Sequence, residues 1–246
     1  MRPGIPHVFV DCDDCVYQNQ WKTAVQITNA IANYTATIGV DKEKAYQLYK
    51  TYGTCLKGLI VENIIDQDKT EEFLRRGHDI DYADITPDPA LCGILRRLCR
   101  VAPTYIFTAS TKEHALRCLE RVGAHDADWR DIIDTRSCSF ETKYSELSFA
   151  AAMRIADASD PSQCLFFDDS VKNIKAARAF GWRTVLVGMI DRDTGDEIIC
   201  EEAEVHIASL HELPDAVAKL FPDLSFSISQ SVDCGTSERS AKTLPL

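Results

Sequence analysis

The stretch His7–Tyr17 constrains the fold of this chain more than any other, because an apolar run ends there in a group of acids. The run His7–Val10 is rich in β-branched and aromatic residues, which favours a buried strand. The acids that follow it are Asp11, Asp13 and Asp14. Carboxylates this close repel one another unless a cation, a proton or backbone N–H groups hold them. The stretch is therefore either an acidic loop after a strand or one edge of a binding site.

Strand-like and helix-like segments alternate along the chain beyond residue 100. The first predicted strand is residues 5–10, and the others follow residue 100: Thr104–Phe107, Asp131–Ile133, Cys164–Phe167, Thr184–Val187 and Val205–Ile207. The predicted helices between them are residues 112–122, opened by a capping box at Ser110–Glu113, residues 146–158 and residues 171–180. This alternation predicts an α/β fold with a parallel, doubly wound sheet.

The block between residues 20 and 80 has helical periodicity without β alternation, which indicates an inserted helical subdomain. Tyr46, Tyr49 and Tyr52 recur there at helical spacing, and we expect them to pack inside the subdomain. The predicted organisation is a core domain of residues 1–18 and 88–222, a helical cap of residues 19–87, and a disordered tail of residues 223–246.

The net charge and the cysteine content limit which binding partners and which cellular compartment are expected. The formal net charge of −11 argues against nucleic acid polymers and anionic membranes, but a small phosphorylated partner remains compatible if a metal and a few basic residues line its site. The 10 cysteines are scattered and no apolar leader follows Met1–Gly4, which predicts reduced thiols in the cytoplasm, with the nucleus as an alternative. Cys12 and Cys15 form a C-x-x-C, but no second pair follows at the spacing of a zinc site.

Chemically active side chains follow three of the predicted strands. Asp11 and Asp13 follow the first, Thr108 follows the second, and Asp168 and Asp169 follow a third. In an open α/β sheet the ligand crevice lies at the carboxyl ends of the strands, so these groups are expected to meet. Oxygen ligands of this kind suit Mg²⁺.

A phosphoryl-transfer reaction would use all of these groups. One carboxylate could attack phosphorus, and a second, two residues further on, could move protons to and from the leaving group. The charge that develops on the phosphoryl group needs a hydroxyl and a cation nearby. Thr108 supplies the hydroxyl, and Lys143, in a loop before a helix, is the best-placed cation.

These motifs resemble, in order, the four signature motifs of the haloacid dehalogenase superfamily over residues 7 to about 190. The sequence is similar to that of the pyrimidine 5′-nucleotidase branch of this superfamily in three segments: Asp11–Tyr17, Tyr52–Leu59 and Phe167–Ile174. Cys15 agrees with that branch, because most other members have threonine at this position.

The resemblance implies a Rossmann-like core with a helical cap, an Mg²⁺ cofactor and an aspartyl-phosphate intermediate. It implies that Asp11 is the nucleophile and a metal ligand, and that Asp13 is the general acid/base with its carbonyl on the metal. Lys143 and Thr108 would hold the phosphoryl group. The other implied residues are Asp168 as the remaining metal ligand, and Asp169 and Asn173 as supporting residues behind it.

One position departs from the family pattern and others bear on the substrate. Ala109 stands where relatives usually have asparagine, which leaves only a backbone N–H to donate to phosphate. The acid at Asp13 favours an alcohol leaving group, hence a phosphomonoester. The candidates for contacting a base or sugar are Tyr17, Tyr52, Lys57 and His114, although His114 also fits a packing role. A phosphatase for another small ester and a non-catalytic regulator of the same fold remain as alternatives.

Overall fold

A computed structural model describes residues 6–192, 194–222 and 224, and it places most of them in a six-stranded α/β fold. The strands are β1 (His7–Val10), β2 (Thr104–Phe107), β3 (Asp131–Ile133), β4 (Cys164–Asp168), β5 (Arg183–Val187) and β6 (Val205–Ile207). The helices are α1 (Lys22–Thr37), α2 (Lys42–Tyr52), α3 (Cys55–Val61), α4 (Thr70–Gly77), α5 (Pro89–Val101), α6 (Lys112–Val122), α7 (Glu146–Ile155), α8 (Val171–Phe180) and α9 (Leu213–Leu220).

The sheet has the strand order β3-β2-β1-β4-β5-β6, and every pairing in it is parallel. The predicted α/β class and parallel sheet are therefore confirmed. The strand β1 lies at the point where the order reverses, between β2 and β4. A crevice opens at such a reversal, outside the carboxyl ends of the strands. The acids that follow β1 and β4 are placed at its mouth.

Apolar side chains form a separate cluster on each face of the sheet, and a third cluster lies among the inserted helices. One face packs against α5, α6 and α9, and the other against α7 and α8. Trp182 is fully buried in the second cluster and stacks on Phe9 at 4.5 Å between ring centroids. The third cluster contains residues of α1 to α4, including Leu48, Leu59 and Phe73. The inserted helices thus bury an apolar core of their own.

Helix ends follow the sequence signals in most cases. Asp41 and Asp88 each accept a backbone N–H as N-caps, and Pro89 occupies the first turn of α5. The capping box predicted at Ser110–Glu113 is wrong. Thr111 is the N-cap of α6 and accepts the N–H of His114, so the glutamate does not occupy the position that a capping box requires. The sequence interpretation also missed α9.

The packing of the α2 tyrosines differs from the prediction. Ala45 and Leu48 are the buried residues of α2, whereas Tyr46 and Tyr49 are 47% and 38% exposed. These two tyrosines lie about 100° around the helix from the buried residues, and Lys50 lies over both rings. Only Tyr52 of the three packs against the cap cluster.

Two further expectations concern the thiols and the tail. All cysteines in the described part of the chain are free thiols, and Cys200 alone among these is not buried. Helices in that part are too short or too polar to cross a membrane. The predicted tail of residues 223–246 lies outside the described residues apart from Leu224.

Candidate active site

Asp11, Lys143 and Asp168 form a buried charge cluster at the carboxyl ends of β1 and β4. The Lys143 Nζ lies 2.7 Å from Asp11 Oδ2 and 2.7 Å from Asp168 Oδ2. It also donates to the carbonyl of Phe107 at the end of β2, at 3.3 Å. One ammonium group from the loop before α7 therefore joins the ends of three adjacent strands. Burial alone would lower the pKa of Lys143, but Asp11 and Asp168 raise it well above its usual range.

Asp13 lies beside this cluster with a separate set of hydrogen bonds. Its Oδ1 accepts from the Tyr17 hydroxyl and lies 2.7 Å from His114 Nε2, while its Oδ2 accepts from Ser110 Oγ at 3.0 Å. Burial would raise the pKa of Asp13, but the charge of His114 and these hydrogen bonds outweigh it and hold the pKa below its usual range. The side chain is 26% exposed, so it can reach a bound molecule.

The two acids at the end of β4 have different surroundings. Asp168 is fully buried and its oxygens accept from Lys143, from the Ser170 backbone N–H at 2.8 Å and from Asn173 Nδ2 at 2.9 Å. The carboxylate of Asp169 instead lies with Asp11 and Cys15, and ligand atoms of these three residues are within 4.8 Å of one another. Asp168 therefore anchors the lysine, and Asp169 lies beside Asp11 without that contact.

The charges around Asp11 suit a cation. Burial raises the pKa of Asp11 well above its usual range, and Asp168, Asp169 and Asp13 add to this effect against the opposing charge of Lys143. Burial and the charges of Asp168 and Asp14 do the same to the pKa of Asp169. Such shifts mark an excess of buried negative charge that one lysine does not compensate. Carboxylate oxygens of this kind fit Mg²⁺, and those of Asp11 and Asp169 lie within 4.8 Å of each other.

The predicted phosphate contacts lie at the end of β2. Thr108 is buried, and its hydroxyl oxygen accepts the Ser110 N–H at 3.0 Å, which leaves the hydroxyl proton available to donate. Ala109 is exposed beside it. The structure thus joins Asp11, Lys143 and Asp168 through direct contacts, and it links Asp13 to Thr108 through Ser110, which donates to both.

The cap meets the core beside the Lys143 loop. Lys57 of α3 pairs with Glu141 at 2.6 Å, and Glu141 is two residues before Lys143. A cavity of about 240 Å³ at this junction is lined by Lys57, Ile60, Ser139 and Phe140. Tyr144 packs so tightly on Gly53 that a β-carbon there would overlap its ring. The segment between α2 and α3 therefore covers the loop that carries the lysine.

A match to a protein-family model shows which family contains this chain. The family model for haloacid dehalogenase-like hydrolases matches residues 5–181. The chain belongs to this family. The yeast protein "Phosphate metabolism protein 8" of Saccharomyces cerevisiae is 26% identical over 199 residues, which cover 72% of this chain and 60% of that protein. The chain thus spans less than two thirds of the length of this relative.

Solved structures of haloacid dehalogenase-like proteins share the fold. A variant of CbbY from Rhodobacter sphaeroides, bound to xylulose 1,5-bisphosphate, gives a TM-score of 0.63 at 17% identity, with 85% of this chain and 96% of that chain covered. The β-phosphoglucomutase of Clostridium difficile gives 0.58 at 15% identity, covering 89% and 98%. The L-2-haloacid dehalogenase of Xanthobacter autotrophicus gives 0.55 at 14% identity, covering 88% and 99%. The family-model match confirms the superfamily resemblance and the hydrolase class, and the solved structures confirm the fold.

Two polar contacts of Asp13 were not expected from the sequence motifs. Ser110 and His114 bind Asp13, and the sequence analysis assigned Ser110 to a helix cap and His114 to a ligand or to packing. The sequence feature that could have identified them is their short distance along the chain from the end of β2. Ser110 and His114 are three and seven positions beyond Phe107, on the turn before α6 and in its first turn, and both reach Asp13 after the end of β1. Tyr17 and Lys57 are likewise engaged by Asp13 and Glu141 rather than free.

Proposed function

We propose that this hydrolase is an Mg²⁺-dependent phosphomonoesterase that forms an aspartyl-phosphate on Asp11. The observation that carries the proposal is the carboxylate of Asp13, which is partly exposed and held by three donors beside the Asp11–Lys143 cluster. A halide leaves carbon without a proton, whereas an alcohol leaving from phosphorus needs one. A positioned proton carrier next to a nucleophile therefore favours an ester substrate.

The proposed reaction has two displacement steps. In the first, an oxygen of Asp11 bonds to phosphorus, the ester P–O bond breaks, and Asp13 gives its proton to the departing oxygen. The charge of a bound phosphate dianion raises the pKa of Asp13, which favours the protonated form in this step. In the second, water attacks phosphorus, Asp13 takes the water proton, and the bond to Asp11 breaks to release inorganic phosphate.

The surrounding groups stabilise charge at the phosphoryl oxygens. Lys143 and the Thr108 hydroxyl can donate to them, and the exposed Ala109 can contribute only its backbone N–H. Mg²⁺, when bound by Asp11, the Asp13 carbonyl and a carboxylate from the end of β4, supplies a fixed positive charge that offsets the repulsion between acids and phosphate. The sequence interpretation put Asp168 on the metal and Asp169 behind it. The contacts of the two side chains favour the reverse, since Lys143, Ser170 and Asn173 already engage Asp168.

We further propose pyrimidine nucleoside 5′-monophosphates as the preferred substrates. The support is the similarity of the sequence motifs to that nucleotidase branch and the cavity at the cap–core junction. Phe140 and Ile60 give that cavity apolar walls suited to a planar base, and Lys57 and Ser139 give it polar groups.

A phosphate-release assay tests the proposal. The purified protein is incubated with UMP, CMP, AMP, glucose 6-phosphate and lysophosphatidate, with Mg²⁺ and with EDTA. We expect release with Mg²⁺ only, and fastest from UMP and CMP. Equal rates on all esters would contradict the nucleotide preference and leave a broader phosphatase. Release from none would indicate a non-catalytic member of the family.

The nucleophile is tested with Asp11→Asn. We expect kcat to fall by about 10⁴-fold or more, as for other nucleophile replacements, while the circular dichroism spectrum stays that of the wild type. The matched control is Asp128→Asn, an exposed position on the loop before β3. Wild-type turnover in Asp11→Asn would show that the nucleophile is assigned wrongly.

A further inference from the structure

The contacts of Asp13 divide its carboxylate into a held oxygen and an open one. Oδ1 is bound by both the Tyr17 hydroxyl and His114 Nε2, whereas Oδ2 receives only Ser110. A carboxylate oxygen has room for about two donors in its plane, so Oδ1 is filled. Oδ2 is the oxygen left to exchange a proton with substrate or water. Whatever fixes Oδ1 therefore fixes where Oδ2 lies.

His114 is built to fix Oδ1. It lies on α6 of the core domain, its side chain is fully buried, and Nε2 is 2.7 Å from Oδ1. A carboxylate oxygen accepts only, so Nε2 carries the proton in this contact. The other ring nitrogen, Nδ1, lies 2.9 Å from the Tyr82 hydroxyl. With both nitrogens engaged, the imidazole has one orientation.

Tyr82 is in turn held by the core. It belongs to the segment that returns from the cap to α5, between α4 and Asp88. Arg121 Nε donates to the Tyr82 carbonyl at 3.1 Å, and the Arg117 guanidinium lies over the Tyr82 ring. Arg121 also donates to the carbonyls of Ala83 and Ile85 at 3.2 Å, so the whole returning segment is clamped on α6. Tyr82 therefore offers His114 a fixed partner.

We propose that His114 is a positioning residue for Asp13, and that Tyr82 supports it from the segment that returns from the cap. The inference rests on the proposed phosphomonoesterase function. Its physical content is that His114 holds Oδ2 at the distance that proton transfer to the leaving oxygen requires. A misplacement of about 1 Å at such a group lowers rates by about 10²-fold.

Leaving groups of different basicity separate this role from a structural one. The value of kcat/KM reports the steps up to departure of the leaving group, so it excludes the later attack of water. UMP, or whichever alkyl phosphate of the panel turns over fastest, loses an alkoxide that needs a proton. 2,4-Dinitrophenyl phosphate loses a phenolate that needs none.

The variants are His114→Ala, His114→Gln and Tyr82→Phe, with the exposed His125→Ala as control. We expect His114→Ala to lower kcat/KM for the alkyl ester by about 10²-fold and to leave that for the dinitrophenyl ester within about threefold. His114→Gln should restore most of the loss, because its amide N–H can reach Oδ1. Tyr82→Phe should change the ratio in the same direction by less, and His125→Ala should not change it.

Equal losses on both esters in His114→Ala and Tyr82→Phe would overturn the inference, because they would reflect a general disturbance of the site. No loss on the alkyl ester in either would overturn it as well. Since Tyr82→Phe removes a single hydroxyl, it keeps the test decisive if His114→Ala melts at a lower temperature. An inactive wild type would instead remove the proposed function itself, and is thereby distinguished from failure of the inference alone.

Discussion

Two groups of ion pairs differ in how deeply they are buried: the acid centre at the strand ends and the cap seam between cap and core. In the acid centre, formed by Asp11, Lys143 and Asp168, the side chains are 8%, 5% and 0% exposed. The cap seam is defined here by two ion pairs that join cap to core among the described residues. Arg136 and Glu71 are 31% and 62% exposed, and Lys57 and Glu141 are 26% and 23% exposed.

The difference teaches which part of the molecule is fixed and which is adjustable. Breaking a buried pair leaves an uncompensated charge and costs about 3–5 kcal/mol, whereas an exposed pair contributes about 0–1 kcal/mol. Strong, buried contacts therefore hold the reacting groups on the sheet, and weak contacts hold the cap over them.

The largest effect on stability is expected from Lys143→Met. The substitution keeps the volume of the side chain but leaves Asp11 and Asp168 without their shared cation. We expect the free energy of unfolding in EDTA to fall by about 3–5 kcal/mol, measured by urea denaturation. Lys172→Met, at an exposed position of α8, is the control and should change it by less than about 0.5 kcal/mol. A loss below about 1 kcal/mol in Lys143→Met would show that the acid centre is no more tightly coupled than the cap seam.

Metal binding should stabilise the acid centre and distinguish its two adjacent acids. A ligand at about 100 times its Kd adds about 2.7 kcal/mol to the native state, which corresponds to a rise in Tm of about 5–10 °C for a chain of this size. We expect this rise when Mg²⁺ replaces EDTA. Asp169→Asn should raise the Tm in EDTA, because it relieves repulsion, and should abolish most of the rise with Mg²⁺.

Asp168→Asn is the matched comparison for that experiment. It weakens the contact with Lys143, so the Tm in EDTA should fall rather than rise. If Asp168→Asn lost the Mg²⁺ effect while Asp169→Asn kept it, the ligand assignment from sequence would be right and the one from contacts would be wrong.

The acid centre was largely predictable from sequence because strand ends are local features. Apolar runs mark β1, β2 and β4, and in a parallel sheet their carboxyl ends share one edge, so Asp11, Thr108 and Asp168 were expected together. Which of Asp168 and Asp169 contacts Lys143 was not predictable in this way. Adjacent residues at a strand end point in different directions, and only the packed structure shows which one faces Lys143.

The cap seam and the surroundings of Asp13 depend on packing between distant segments, which sequence patterns do not encode. His114 lies 101 residues from Asp13, and Glu71 lies 65 residues from Arg136. Helical spacing predicted a cap, but it did not separate Tyr46 and Tyr49, which are exposed, from Tyr52, which packs against the cap cluster.

A steric contact in the cap seam is tested by Gly53→Ala. Gly53 ends α2 with φ = 85°, and a β-carbon there would overlap the Tyr144 ring. Left-handed backbone costs about 1–2 kcal/mol for a residue with a β-carbon, and displacement of Tyr144 adds to this. Gly39→Ala is the matched control, since Gly39 has φ = 79° and nothing within 4 Å of such an atom.

The comparison of these two glycine variants isolates the contact. We expect Gly53→Ala to lower the unfolding free energy more than Gly39→Ala, and to raise KM because Tyr144 moves beside Lys143. Adding Tyr144→Ala to Gly53→Ala should remove the excess loss. Identical losses in the two glycine variants would mean that Tyr144 does not couple the cap to the core.

The smallest effect is expected from Glu71→Gln, which weakens the pair between α4 and the core. The hydrogen bond from Arg136 lowers the pKa of Glu71, with its charge adding to the effect against some desolvation. The pair therefore contributes stability above the ordinary pKa of 4.5, and loses it as the pH falls through the lowered value. Because Glu71 is mostly exposed, the loss at pH 7 should be about 0.2–1 kcal/mol, should shrink in 1 M salt, and should vanish once the pH is well below the lowered pKa. KM should change while kcat does not, since the reacting groups lie on the sheet. A loss comparable to that of Lys143→Met would contradict the view that the cap is held weakly over a fixed centre.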